Sequence, residues 1–264
     1  MECVEGLPLE ELEAWLREDP VPHLLSWKDR TDPRAPVHFV RFRRAGRREG
    51  YALYWFGNPQ VPVVHWFGDL SDPEPAVRLL PPRPLVVVGP PPMVPVVDRV
   101  RGPVRSYELF GLLHSGPVPQ REDLSPAVRA VQLEERHRDA LNRLVAEHPG
   151  EGLLEAYARL NLQKDLVFAA VEGPPEEILS VARVQARTPW GWLVAGVYTR
   201  PEARRRGGGR AVLETILSRA HREHVPVALY ARADNPAALN LYRKVGFREV
   251  DRRVWMDAGS GLSP

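Results

Sequence analysis

A mixed α/β sheet with helices on both faces is the fold class this sequence predicts, and three observations predict it. Short apolar, β-branched runs alternate with longer stretches whose apolar residues recur at helical spacing. Proline and glycine breakers stand at nearly every junction between them. The 264 residues hold 44% hydrophobic and 27% charged side chains, which is the balance of a chain that buries a core.

The first half reads as a helix over Leu9–Arg17 and strands at Val37–Arg43, Gly50–Phe56 and Val61–Phe67. Asp72-Pro-Glu-Pro then opens a short helix, Leu85–Val88 forms a strand ahead of Pro90–Pro92, and Ser106–Leu113 is the last strand. A proline-marked stretch, Ser115–Pro126, separates the two halves of the chain and sets two expected domains, 1–122 and 123–264. The second half opens with a strand, Ala127–Leu133, and helices at Glu135–Glu147 and Leu153–Gln163. Strands at Leu166–Glu172, Ile178–Arg187 and Trp192–Thr199 come after them, joined by short turns at Gly173–Pro175 and Thr188–Gly191. Next come a helix after Arg210, a strand Val225–Arg232, a helix carrying Tyr242, and a strand Arg248–Met256.

The most informative stretch is Val194–Leu217, where a strand runs into an Arg/Gly-rich loop that opens a helix. A helix N-terminus carries unpaired N–H groups and partial positive charge, so it attracts anions. Gly207, Gly208 and Gly209 lack the Cβ that would hold a phosphate away, and Arg204, Arg205, Arg206 and Arg210 add positive charge. A basic, flexible linker has the same tripeptides. Against that reading, Val212, Leu213, Ile216, Leu217 and Ala220 make one apolar helical stripe directly after the loop. The loop thus joins two core elements and reads as a diphosphate cradle.

With Pro201 and the spacing Arg204-x-x-Gly207-x-Gly209, this segment resembles the acetyl-CoA loop of the GCN5-related N-acetyltransferases, the GNAT superfamily. A second stretch, Asn235-Pro-Ala-Ala-Leu-Asn-Leu-Tyr242-Arg-Lys-Val-Gly246-Phe247, is similar to that family's next signature. The resemblance covers roughly Leu124–Met256 and implies an acyl-CoA N-acyltransferase fold there. It implies backbone contacts from Val197 and Thr199 to the pantetheine arm, main-chain and arginine contacts from Arg204 to Arg210 to the diphosphate, and a contact from Asn235. It implies Tyr242 as the catalytic acid that protonates the leaving CoA thiolate. Each position also has a purely structural reading: Asn235-Pro236 suits a helix start, Gly246 a helix end, and Tyr242 a core face with Leu239 and Val245. The order of elements in the first half echoes the second without either signature, which implies a degenerate, non-catalytic GNAT-like copy and hence a tandem.

The implied function is acetyl-CoA-dependent transfer of an acyl group to a primary amine, a small molecule or a protein N-terminus, by direct attack in a ternary complex. The alternative is a non-catalytic acyl-CoA-binding regulatory module. It draws support from Gly191–Tyr198, which carries no acid to deprotonate the amine. Glu172 and Glu202 lie nearby in sequence, but neither is assigned as a base. Arg205 and Gly208 depart from the commonest form of the loop, which places a glycine and an aliphatic there. A net charge of +2 gives no reason to expect nucleic acid or a membrane surface as partner. The chain's start is acidic and no run reaches 18 apolar residues; with one cysteine, Cys3, this is the pattern of a cytoplasmic protein. No histidine or cysteine cluster has metal spacing, so no metal is expected.

Overall fold

A computed structural model of the protein describes residues 2–44, 46–57, 60–68, 73–118, 128–149 and 152–259. The first half of the chain runs β1 (Glu2–Glu5), α1 (Leu9–Glu18), α2 (Pro20–Thr31), β2 (Val37–Arg44), β3 (Arg47–Trp55), β4 (Val63–Gly68), α3 (Glu74–Val77), β5 (Leu85–Gly89), α4 (Val94–Arg101) and β6 (Arg105–His114). The second runs β7 (Arg129–Gln132), α5 (Arg138–Glu147), α6 (Gly152–Glu155), β8 (Val167–Glu172), β9 (Glu177–Thr188), β10 (Gly191–Thr199), α7 (Gly208–Arg222), β11 (Val227–Arg232), α8 (Pro236–Val245) and β12 (Arg248–Ala258). The two halves repeat the same order of strands and helices.

Contacts divide the chain into two compact units, and neither is one continuous stretch. Unit 1 holds Met1–Gly111, Ala231–Pro236 and Glu249–Pro264; unit 2 holds Leu112–Tyr230 and Ala237–Arg248. The break falls inside β6, whereas Ser115–Pro126 is the stretch that sequence marks; residues 119–127 of it lie outside the described residues. The chain's last strand joins unit 1 by pairing antiparallel with β5, from Val254↔Gly89 to Ala258↔Leu85.

In unit 1, β1, β2, β3 and β4 pair antiparallel in sequence order and β4 pairs parallel with β5. One face buries Phe42, Tyr54, Trp66, Val87, Met93 and Met256, with the Phe42 and Trp66 rings stacked at 4.6 Å. On another side of the core His23 of α2 meets the Tyr51 hydroxyl through Nδ1 at 2.6 Å, both buried. Trp66, Phe67 and Tyr51 are therefore core residues. Cys3 is exposed in β1, opposite Phe42.

Three helices differ from expectation, each for a local reason. α2 carries Pro20 and Pro22 and so lacks a clean helical pattern, but both prolines sit in its first turn. Asp19 caps it by accepting from Val21 N at 3.2 Å. α4 is hidden in the sequence by Pro90–Pro92 and Pro95; it starts within those prolines and stops at Gly102, with φ +87°. The helix expected over Leu153–Gln163 is only α6 followed by a 3₁₀ turn, Ala156–Arg159. Asn161 stops it: its side chain accepts from Gln163 N at 3.0 Å, while Asp165 Oδ2 accepts from Asn161 N at 2.7 Å.

Unit 2 repeats the pairing of unit 1. β7, β8, β9 and β10 are antiparallel in sequence order, and β10 pairs parallel with β11. One core cluster gathers Leu141, Leu144, Tyr157, Val167, Val181 and Tyr198. The apolar stripe of α7 is buried, with Val212, Leu213, Ile216, Leu217 and Ala220 each no more than 2% exposed. Burying several such side chains contributes about 1.5–3 kcal/mol each and fixes the start of α7 against the sheet. Among the described residues, no helix is long and apolar enough to cross a membrane.

Candidate functional site

The site is built around the C-terminal half of β10. Its parallel pairing with β11 runs Trp192↔Val227, Leu193↔Ala228, Val194↔Leu229 and stops there among the described residues. Just beyond, the register with β9 jumps from Ala195↔Arg183 to Tyr198↔Val181, so Gly196 and Val197 together face one residue, Ala182. Gly196 makes the bulge with φ +64°. Tyr157 holds it: the phenol hydroxyl donates to the Gly196 carbonyl at 2.6 Å. A Cβ on residue 196 would stand 2.8 Å from that oxygen, so this position requires glycine. Thr199, two residues past Val197, hydrogen-bonds through Oγ1 to Ser180 Oγ at 2.9 Å, and Ser180 Oγ donates to the Tyr198 carbonyl at 2.7 Å.

β10 leads into a 3₁₀ turn, Pro201–Ala203, and then α7. Arg200 anchors the corner: buried, it donates through Nε to the Ile178 carbonyl at 2.7 Å and pairs with Glu147, Glu177 and Glu202. Arg205 and Gly207 adopt left-handed backbone, φ +64° and +84°, and Gly207 is the N-cap of α7. Left-handed residues in such a turn help bring successive N–H groups toward a common point, the concave arrangement that suits an anion.

The glycines at 208 and 209 serve packing as well. A Cβ on Gly208 would lie 3.3 Å from Ser180 Cβ and 3.4 Å from Ala170 Cβ. One on Gly209 would lie 3.2 Å from both Thr199 Oγ1 and Leu241 Cδ2. Both residues are buried, so the close approach that demands glycine here is that of α7 to β8, β9, β10 and α8. An aliphatic side chain at 208, the commoner form of the loop, has no room.

The four arginines are not equivalent. Arg206 is paired with Glu172 and Arg210 donates to Glu214 at 2.7 Å within α7. Arg204 and Arg205 are exposed and form no ion pair among the described residues. Glu172 and Glu202 are both taken up by arginines, and the hydrogen bonds of Glu202 hold its carboxyl below the usual range. Asn235 is exposed, directly before Pro236, the first residue of α8.

Tyr242 lies on the buried face of α8 with Leu239 and Val245, its ring 6.0 Å from that of Phe247. Burial pushes its phenol up to about 12, so the group is protonated throughout the neutral range. Its hydroxyl makes no hydrogen bond among the described residues. Tyr157 is close enough to interact electrostatically with Tyr242, and burial raises its phenol too. Val197 and Tyr157 thus meet at the bulge, Thr199 lies two residues on beside Ser180 and Gly209, and Tyr242 is within electrostatic reach of Tyr157. Arg204–Arg210 lie just past the end of the same strand, and Asn235 starts the helix that carries Tyr242. Sequence reasoning missed Tyr157, whose bond to Gly196 joins residues 39 apart. A cavity of about 360 Å³ among His114, Leu217, His221 and Val227 lies toward the other end of α7, away from this region. Among the described residues no group of three or more His, Cys, Asp or Glu could hold a metal ion.

Residues 118–247 match the profile of the acetyltransferase (GNAT) family. A mycothiol acetyltransferase of Saccharomonospora viridis is 30% identical over 134 residues, 50% of this chain and 40% of that protein. The chain therefore spans well under half the length of that curated relative. Among solved structures, a Drosophila protein superimposes with a TM-score of 0.72 at 16% identity, covering 97% of both chains. A tandem GNAT protein from the clavulanic acid biosynthesis pathway superimposes at 0.60 with 13% identity over 99% of both chains. These likenesses extend the shared fold across both halves.

Proposed function

We propose, from the match of residues 118–247 to the acetyltransferase (GNAT) family profile, that this chain moves the acetyl group of acetyl-CoA onto the nitrogen of a primary amine. The observation that carries the reading is the parting of β10 from β11 after Val194↔Leu229, succeeded at once by the bulge at Gly196. A strand edge left unpaired offers its N–H and C=O groups to an extended ligand, as an added strand would take them. Val197 and Thr199 would receive the pantetheine arm there, and Asn235 would contact the coenzyme near the start of α8. The turn from Arg204 to Arg210, with the first N–H groups of α7, would receive the diphosphate. Arg204 and Arg205 supply the charge that no carboxylate among the described residues neutralises.

Bound acetyl-CoA supplies a thioester carbon open to nucleophilic attack. The amine nitrogen forms the new C–N bond, the C–S bond breaks, and the amine's proton leaves to solvent. Tyr242 faces the departing sulfur with its proton in place. A phenol held near 12 is a weaker acid than a thiol of ordinary pKa about 8.5, so donating a hydrogen bond to the sulfur fits better than giving up the proton. No covalent enzyme intermediate is needed, since both reactants meet in one cleft. The first half of the chain, a degenerate copy in this reading, binds no coenzyme.

The alternative of a non-catalytic acyl-CoA-binding module draws on the ion pairs of Glu172 and Glu202, which leave neither free as a base. Calorimetric titration with acetyl-CoA, and then a thiol-release screen over amines, separates the two. The transferase reading expects amine-dependent thiol release, and turnover lower by about 100-fold in Tyr242→Phe with acetyl-CoA affinity unchanged. Binding without release from any amine favours the module, and no binding at all overturns the donor site.

A further inference from the structure

Seven of the sixteen described arginines of unit 2 pair with a carboxylate, Arg200 and Arg206 among them. On β9 itself, Arg187 is exposed and makes a two-pronged pair with Glu223 at 2.8 and 3.1 Å. Arg183, four residues earlier on the same strand, has no such partner among the described residues. Its Nε is buried and without a hydrogen bond. A guanidinium nitrogen withdrawn from water and left unpaired is costly, and folded proteins rarely keep one without a use. Arg183 is only partly buried, so the rest of its guanidinium remains accessible, and a ligand that brings a carboxylate can meet both parts.

Its position says which ligand. Arg183 stands opposite Ala195 on β10 and opposite Val167 on β8. Ala195 is the residue before the Gly196 bulge, so Arg183 is rooted across from the start of the strand segment that receives the pantetheine arm in the proposed reading. Val181, two residues before it, and Val167 across from it both belong to the core cluster that includes Tyr157. Residues two apart on a strand share a face, so Arg183 lies on that same face, at the rim of the cluster. Its charge reaches the Tyr157 phenol, the group that holds the bulge.

We propose that Arg183 binds the acceptor, and that the acceptor is an amine carrying a carboxylate a few bonds from its reactive nitrogen. The fork of a guanidinium matches the two oxygens of a carboxylate and fixes its plane. One such contact beside the bulge orients the amine toward the acyl carbon and supplies the missing counter-charge. The inference rests on the acetyltransferase reading for what happens at the bulge, while the state of Arg183 itself does not.

The test uses the full chain with saturating acetyl-CoA and a panel of α- and β-amino acids, each beside its carboxamide. The wild-type protein is expected to prefer the carboxylate of a pair by about 10- to 100-fold in kcat/KM, the range of a charged hydrogen bond. In Arg183→Met the acceptor KM is expected to rise by that factor, with the KM for acetyl-CoA and the turnover of carboxamides unchanged. Arg183→Lys restores part of the preference, because it keeps the charge and loses the fork. Thiol release that is equal for carboxylates and carboxamides, or a preference that survives in Arg183→Met, overturns the assignment. If acetyl-CoA fails to bind, the donor site is what fails, and Arg183 is judged by melting without ligand. There, Arg183→Met is expected to melt higher, since a buried and unpaired Nε is removed; a lower melting temperature makes the arginine structural and ends the proposal.

Discussion

In unit 1, β4 keeps its register with β3 from Val63 to Gly68, whereas in unit 2 β10 breaks its register with β9 at Gly196. Both strands pair parallel with the next strand over three residues only, Val63–His65 with Val86–Val88 and Trp192–Val194 with Val227–Leu229. Past the third pair the two edges diverge. In unit 1 the next carbonyl, that of Trp66, accepts a buried hydrogen bond from Arg253 of β12 at 2.8 Å. Arg253 is further fixed by Asp251 at 2.8 Å and lies 5.2 Å from the centre of the Phe67 ring. In unit 1 an arginine from another strand meets the strand just past its parallel pairs, and in unit 2 the strand bulges there and a tyrosine, Tyr157, holds the bulge. The helix after the edge differs too. α7 has fifteen residues and opens on glycines; α3 has four, and its first residue is Glu74, held ionised by Arg78 and Arg99. A carboxylate at that end repels an anion. In the proposed reading, one architecture serves as a ligand site in one unit and as packed core in the other, depending on a few side chains along one strand.

The largest expected effect of breaking this contrast is at Arg253. Arg253→Leu leaves Asp251 and the Trp66 carbonyl without their buried donor and is expected to cost about 3 kcal/mol in urea unfolding. Calorimetry on the variant is expected to show one acetyl-CoA per chain, as in the wild type, because α3 still presents Glu74. A second binding event would mean that the arginine alone keeps unit 1 closed.

The bulge gives the next test, since both units carry a crowded glycine in the second half of the compared strand. A Cβ on Gly196 would meet Tyr157 Oη at 2.8 Å, and one on Gly68, φ +94°, would meet the Glu49 carbonyl oxygen at 2.2 Å. Valine at either position is expected to cost about 2–3 kcal/mol through positive φ and overlap. Only Gly196→Val is expected to weaken acetyl-CoA binding as well. Equal donor affinity in the two variants would remove the bulge from the site.

How much of this could be read from the sequence depends on the range of the interactions involved. Strands with buried β-branched runs, such as Val167–Glu172 and Val227–Arg232, and the stripe on α7 are local patterns and were legible. So was the loop from Arg204 to Arg210, whose residues are consecutive. α2 and α4 were hidden because proline reads as a breaker unless its place in the first turn is known. The bond of Tyr157 to Gly196 spans 39 residues and that of Arg253 to Trp66 spans 187, so no window of sequence contains either. The glycines of the loop were legible as glycines but not in their full purpose, since the Cβ-sized gaps at 208 and 209 are set by Ser180, Ala170 and Leu241.

Alkaline pH sharpens the comparison through two tyrosines. Burial pushes Tyr54 of unit 1 and Tyr242 of unit 2 up to about 12 alike, from an ordinary value of 10. A raised phenol pKa means that the folded protein holds the proton more tightly. The resulting stability is complete below pH 10 and is lost as pH rises from about 10 to 12, up to roughly 2–3 kcal/mol for each group. Phenylalanine at either position is expected to flatten the stability curve over that window by a similar amount. Turnover at pH 7 is expected to fall in Tyr242→Phe and to hold in Tyr54→Phe, which separates a buried phenol used in chemistry from one used in packing. Equal turnover in the two would return Tyr242 to the core.

The smallest expected effect concerns backbone strain, which among the described residues also divides the units. The two non-glycine residues with positive φ, Arg205 and His224, are both in unit 2. Left-handed backbone costs an ordinary residue about 1–2 kcal/mol, and glycine avoids this while giving up roughly 0.5–1 kcal/mol of entropy. The first effect wins narrowly, so Arg205→Gly is expected to raise stability by a few tenths to about 1 kcal/mol. Affinity for acetyl-CoA is expected to move the other way, because the variant drops one of the two arginines of the turn that no carboxylate among the described residues answers. Arg205→Ala loses the same charge and keeps the strain, so it is expected to match the glycine variant in affinity and fall below it in stability. If the two variants instead melt together, the φ of +64° at this position carries no strain, and a side chain is tolerated there because the turn itself prefers that backbone.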